Sequence, residues 1–231
     1  MKHILALGLV AACGGSDLDP GAGNDPGGGT GTLVVDGSAR ADSRLSNARV
    51  ASDFDTSFEV RIRLNDVDVI DGSVTVTSAS GAFELLVSDT DNGKRWRGSA
   101  PQYDEVYILD IVSGADTVDS VRVDGPDIHQ FVEPLAGATV DPATALAIRW
   151  GGDHAAESAS IDAEEIDSLA IADTGEFSLP AGSLKSDQNQ ARQNTLRITR
   201  ENRVVPAGGA AGSEWSVSIR NEIDVLASPA P

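Results

Sequence analysis

Apolar and polar residues alternate with a period of two through most of the chain, and a sustained 3.6-residue period is nearly absent, so the pattern predicts an all-β protein. The clearest strand is Phe58-Glu59-Val60-Arg61-Ile62-Arg63-Leu64, with Phe58, Val60, Ile62 and Leu64 on the buried face and Glu59, Arg61 and Arg63 in water. A slip of one residue would bury those charges, which fixes the register. The same alternation predicts strands at 32–35, 73–77, 82–88, 94–99, 106–112 and 118–124. Turn signals separate them, among them Asp71-Gly72, Ser80-Gly81 and Asn92-Gly93. The last suits a type I′ hairpin turn, because both residues tolerate positive φ.

Gly125-Pro126 interrupts this series, and a second set of strands is predicted at 128–132, 146–150, 159–162, 169–172, 176–179, 195–200 and 215–226. A short helix is expected at 184–192, where Gln and Ala cluster. Short strands without crossover helices predict two tandem β-sandwiches, 31–126 and 127–231. Ahead of them, residues 13–30 are rich in Gly, Asp and Pro and too poor in apolar side chains to offset the entropy of ordering, so they read as a flexible tether.

Residues 4–12 are apolar and follow Lys2, the layout of a cleaved signal peptide and about half the length a membrane-spanning helix needs. Val10-Ala11-Ala12-Cys13 resembles the lipobox of bacterial lipoproteins. That resemblance implies that residues 1–12 are removed and that Cys13, the only cysteine, is lipidated on sulfur and anchors the protein in the cell envelope. Gly14, in place of the aspartate that marks inner-membrane retention in that family, favours the outer membrane or the cell surface. Thr144-Ala145-Leu146-Ala147-Ile148-Arg149-Trp150 is similar to the second strand of fibronectin type III domains, which implies that the two tandem sandwiches are immunoglobulin-like or fibronectin-like and that Trp150 packs between two sheets. The following Gly151-Gly152-Asp153-His154 departs from that family.

Thirty-six acidic against seventeen basic residues give a formal charge of -19, which opposes binding to nucleic acid or to anionic lipid headgroups. Catalysis is poorly supplied. His129 and His154 are the only histidines after the signal, both read as solvated, and no nucleophile elbow, zinc-binding helix, phosphate loop or Cys pair occurs, so the chain reads as a non-enzyme. Calcium is the sharper chemistry, since closely spaced aspartates in loops supply its oxygen ligands. Asp89, Asp91 and Asn92 resemble the start of a calcium loop, although a hairpin explains the same residues and no closing glutamate follows. Trp96, flanked by Arg95 and Arg97, is either an exposed platform for a sugar ring or a core residue, and alternation favours the core.

Three functions follow from this reading. The first is a non-catalytic envelope lipoprotein that acts as a binding, adhesion or structural accessory module with an envelope protein or glycan partner. The second is an adhesion module stiffened by calcium near residues 124–128. The third is a secreted carbohydrate-binding or hydrolytic module.

Overall fold

The computed structural model describes residues 18–229, so the signal and Cys13 lie outside the described residues. The protein is all-β. In chain order the strands are β1 Gly28–Gly29, β2 Val34–Ser43, β3 Phe54–Leu64, β4 Val67–Asp68, β5 Ser73–Ser78, β6 Gly81–Glu84, β7 Leu86–Thr90, β8 Gly93–Ala100 and β9 Val106–Ser113. They continue with β10 Asp116–Asp124, β11 Gln130–Glu133, β12 Thr139–Val140, β13 Leu146–Gly151, β14 Ser158–Ala163, β15 Ile166–Ile171, β16 Glu176–Leu179, β17 Arg192–Val204 and β18 Glu214–Ala227. Among the described residues helical structure is confined to the 3-10 turn Ala51–Asp53, so the helix expected at 184–192 does not form. Asn194 instead holds that segment as a loop, accepting from the Lys185 amide at 2.6 Å and donating to the Lys185 carbonyl at 2.9 Å.

Three sheets build two cores. One sheet has the order β1-β10-β9-β5-β6, a second β11-β13-β16, and the largest runs β15-β14-β17-β18-β2-β3-β8-β7. Phe58, Val60, Leu109, Val121, Trp215 and Ile219 belong to the first core, and Ile148, Trp150, Ile161, Leu196, Ile223 and Val225 to the second. The cores therefore do not divide at residue 127. At roughly 3.3 Å per residue the fourteen residues of β18 reach about 46 Å, long enough to serve both cores. Its first half pairs in parallel with β2 through Glu214 to Arg220, while β17 pairs with it along its whole length. The strand predicted at 82–88 also divides: β6 pairs with β5, β7 pairs with β8 in the other sheet, and buried Leu85 sits at the crossing.

Two local expectations change. Thr90 pairs with Gly93, which leaves Asp91 and Asn92 as the loop, and positive φ falls on Gly93 at 106° rather than on either of them. The turn with two consecutive positive φ values is Asn65-Asp66, at 52° and 64°, closing the Leu64–Val67 pair. The segment read as a tether is also ordered from residue 19 onward. Gly28 and Gly29 pair with Asp119 and Val118, and Asp25 exchanges both backbone hydrogen bonds with Arg122 at 2.9 and 3.0 Å. Gly27 and Gly29 adopt φ of 65° and 140°, and a Cβ on either would run into the carbonyl oxygen of Asp119 or Thr117. Missing side chains are what let this strap lie against β10; its order comes from backbone hydrogen bonds, which apolar composition does not register.

Candidate functional site at the junction of the two cores

Where the cores meet, the inward faces of β17 and β18 each carry a polar residue. Leu196 and Ile198 face the second core and are followed by Arg200; Trp215, Val217 and Ile219 face the first and are followed by Asn221 before Ile223 and Val225 resume. Arg200 is 2% exposed. Its Nε donates to Asp173 Oδ2 at 2.8 Å, its Nη1 to the Asp127 carbonyl at 2.8 Å, and its Nη2 to the His154 carbonyl. A guanidinium suits this place because its rigid fork can serve three acceptors while its charge stays paired.

Asp173 answers it. Burial alone would raise its pKa, but donation from the Ala156 amide at 2.6 Å, the Trp150 indole at 2.9 Å and Arg200 together hold it below the usual carboxylate value. Trp150 is thus buried between sheets, as the fibronectin resemblance implies, and its indole N–H is tied to the junction. Asn221 is fully buried and donates to the Ala48 and His129 carbonyls at 2.8 and 2.7 Å while accepting from the Ala48 amide at 3.0 Å. Asn47 accepts from the Phe131 amide at 2.8 Å, Asn202 donates to the Asp124 carbonyl at 2.8 Å, and Tyr103 donates to the Pro126 carbonyl at 2.6 Å. The bonds of Arg200 to Asp127, Asn221 to His129, Asn47 to Phe131, Asn202 to Asp124 and Tyr103 to Pro126 cross between the cores or onto the segment that joins them.

The histidines differ from each other. His129, expected to be solvated, is fully buried with Nε2 at 3.1 Å from the Ile198 carbonyl; burial, aided by nearby Arg200, lowers its pKa to about 3 and keeps it neutral. His154 is solvent-exposed as expected, and both its amide and its Nδ1 meet Asp127 Oδ2, at 2.6 and 3.0 Å.

Beside this network lies an open cleft of about 340 Å³, walled by Gly21, Glu105, Asp124, Asp127, Asp153 and His154. Burial, and then the carboxylates of Asp127, Asp124 and Asp153, raise the pKa of Glu105. Asp124 is committed to structure, accepting from the amides of Gly21 and Gly23 at 3.0 and 2.7 Å and from Arg122 Nε at 2.8 Å.

The metal ligands proposed from sequence are not brought here. Asp89, Asp91 and Asn92 lie at the β7–β8 hairpin, where Asp89 pairs with Lys94 and Thr90 Oγ1 donates to the Gly93 carbonyl at 2.7 Å. Among the described residues no group of three or more His, Cys, Asp or Glu side chains is placed to hold a metal ion. Trp96 faces the first core at 6% exposure and donates to the Val69 carbonyl at 3.0 Å, so it offers no platform for a sugar. Arg200, Asp173 and Asn221 were not singled out from sequence. The signal for two of them was present: a charge or an amide at an inward position of an otherwise apolar alternation. Compared with known proteins, the chain matches no protein-family model and no curated protein sequence.

Proposed function

We propose that this chain is a non-catalytic cell-envelope lipoprotein, anchored through lipid on Cys13 at the outer membrane or cell surface, whose fused β-sandwiches form a binding, adhesion or structural accessory module. The observation that carries the reading is the use made of the junction's charged and polar groups: Arg200, paired by Asp173, together with Asn202 and Asn221 is engaged in holding two cores as one body. A rigid, lipid-tethered body suits a part that positions or grips a partner. The second core supports the immunoglobulin-like or fibronectin-like reading. Its first, second and a later strand (β11, β13, β16) face the sheet that holds β14 and the last two strands, as in that class of sandwich.

The test is the mature protein recovered from its own envelope. The reading expects an N-terminal Cys13 carrying the mass of a lipid, and loss of membrane association in Cys13→Ala. An unmodified thiol in the mature protein, or membrane association that survives Cys13→Ala, overturns it.

A further inference from the structure

The strap that replaces the expected tether changes where an anchored body must sit. From residue 19 the chain is pinned: the Asp19 carbonyl accepts from Arg122 Nη2 at 2.6 Å, the Gly21 and Gly23 amides donate to the Asp124 carboxylate, and the Asn24 side chain reaches across to Glu157 and the Arg203 carbonyl at 3.2 and 3.1 Å. Only residues 14–18 separate Cys13 from this pinned segment, and six steps between successive Cα atoms cover at most about 20 Å. A chain free up to residue 30 would reach about three times as far, and the body could then turn any side to the bilayer.

The strap also enters at a particular place. Gly21 forms part of the wall of the acidic cleft, beside the ends of β10 and β13 and the loop that carries His154. That is the middle of the body, with the first core on one side and the second on the other. The tips of both sandwiches lie at the opposite strand ends: Asp91 in the turn after β7, and Glu164 in the turn after β14.

Resting on the lipid anchor at Cys13, we infer that the junction cleft is the membrane-facing side of the protein, held within about 20 Å of the headgroups by the strap, with the two sandwiches extending from the anchor to either side and their tips at the two far ends of the body. Glu105, Asp124, Asp127 and Asp153 then face the lipid surface, so this side fits a neutral headgroup layer and is repelled by an anionic one.

The full chain, produced without export, is coupled through the Cys13 thiol to a dialkyl maleimide lipid that itself carries an energy-transfer acceptor at its headgroup, and is bound to phosphatidylcholine vesicles, so that transfer reports distance from the anchor point. This makes the geometry testable whether or not the cell lipidates Cys13, so failure of the anchor reading and failure of the orientation are separate results. A fluorescent donor residue is placed singly at Ala155 beside the cleft, at Asp91 and at Glu164, all exposed. Transfer is expected to be strongest at Ala155 and weaker at both tips. Gly27→Val with Gly29→Val, which forces the strap off β10, is expected to lower transfer at Ala155 and bring the three positions together. Transfer at either tip equal to or above that at Ala155 in the unaltered strap overturns the inference. So does an Ala155 signal unchanged in a valine pair that still folds by circular dichroism.

Discussion

Two segments meet the seam between the cores, and they are held by opposite physics. The β17–β18 hairpin crosses it with apolar side chains at almost every inward position, interrupted by polar ones at the seam, whereas the strap at residues 19–30 runs from the seam along β10 with hardly any side chains. The hairpin is held by burial, in which Trp215, Val217 and Ile219 are fully enclosed in one core and Ile223 and Val225 in the other. The strap is held by backbone hydrogen bonds to β10 and by a few carboxylate and amide contacts. A hydrogen bond contributes about 1 kcal/mol net, against roughly 2–3 kcal/mol for a large buried side chain, so the hairpin carries stability and the strap carries position.

The comparison breaks most visibly at Trp215. Trp215→Ala should cost about 3–5 kcal/mol in urea unfolding, because an indole with no exposed surface leaves a cavity. Since β18 serves both cores, this variant and Trp150→Ala, on the other core, should each lower a single transition detected by probes in either core. A variant that melts only its own core in a separate transition would show that the hairpin does not couple them.

Next in size is the seam itself. Arg200→Met removes the cation and leaves Asp173 buried, which should cost about 3 kcal/mol, with part recovered in the double variant carrying Asp173→Asn. The pH response gives the sign. In the native protein the folded-state pKa of Asp173 is depressed, so its contribution is fully present above the unfolded value of about 3.9 and is lost as pH falls through the lower folded value. Without Arg200 the folded value moves up toward or past the unfolded one, so the acid loss of stability from this group should shrink or reverse, and the cost of Arg200→Met should be largest at neutral pH and smaller near pH 3. Denaturant midpoints between pH 3 and 7 check this.

Period-two alternation made the strands legible, and with them Trp96, Trp150 and Trp215 as core residues, because burial on one face is written residue by residue. The division of the cores was not legible. Gly125-Pro126 marks a real break in the strands, but a boundary read from local punctuation cannot show that a strand ninety residues later returns to pair in parallel with β2. The strap was misread for a related reason: glycine-rich composition measures the entropy of the free chain and not the hydrogen bonds a side-chain-free backbone can make at close approach. Asp89, Asp91 and Asn92 form a pattern that a hairpin and a calcium loop share. At the junction, Glu105, Asp127, Asp153 and His154 come from three separate loops and share no spacing that sequence could display.

A smaller effect sharpens the contrast from the strap's side. Gly27→Val with Gly29→Val should cost about 1–2 kcal/mol, chiefly by detaching the strap. Amide exchange should speed up at Asp25, Thr30 and Arg122, whose amides bond across that seam, and stay unchanged through β17 and β18. Equal acceleration in the hairpin would mean that the strap also carries global stability.

Glu105→Gln should act in the opposite sense to Arg200→Met. The folded-state pKa of Glu105 is raised, so the native protein gains stability from this group as pH falls from above that folded value toward the unfolded value of about 4.3. At pH 7 the charged side chain opposes folding. Its neutral isostere should therefore melt slightly higher at neutral pH, by a few tenths of a kcal/mol at low salt, since water and salt screen a partly exposed group. The difference should vanish near pH 4. A lower melting temperature for Glu105→Gln at pH 7 would assign the carboxylate an attractive partner in the cleft.

The smallest expected effect separates a hydrogen-bonded junction from an ion-filled one. Asp124 and Asp127 already accept from strap amides, Arg122 and His154, and Asp89 is paired with Lys94, so calcium would have to displace contacts that hold the fold. Melting of the full chain in chelator and in millimolar calcium should therefore coincide once magnesium and monovalent salt controls are matched. The measurement can resolve the alternative: an ion bound only by the native state at a hundred times its Kd adds about 2.7 kcal/mol, which for a chain of this size raises Tm by several degrees. A calcium-specific rise abolished by Asp127→Asn would move the junction from a hydrogen-bonded seam to a metal-stiffened one, and the function from accessory body to calcium-dependent adhesion. A rise that survives Asp127→Asn but not Asp91→Asn would place the ion at the β7–β8 hairpin and leave the junction as described.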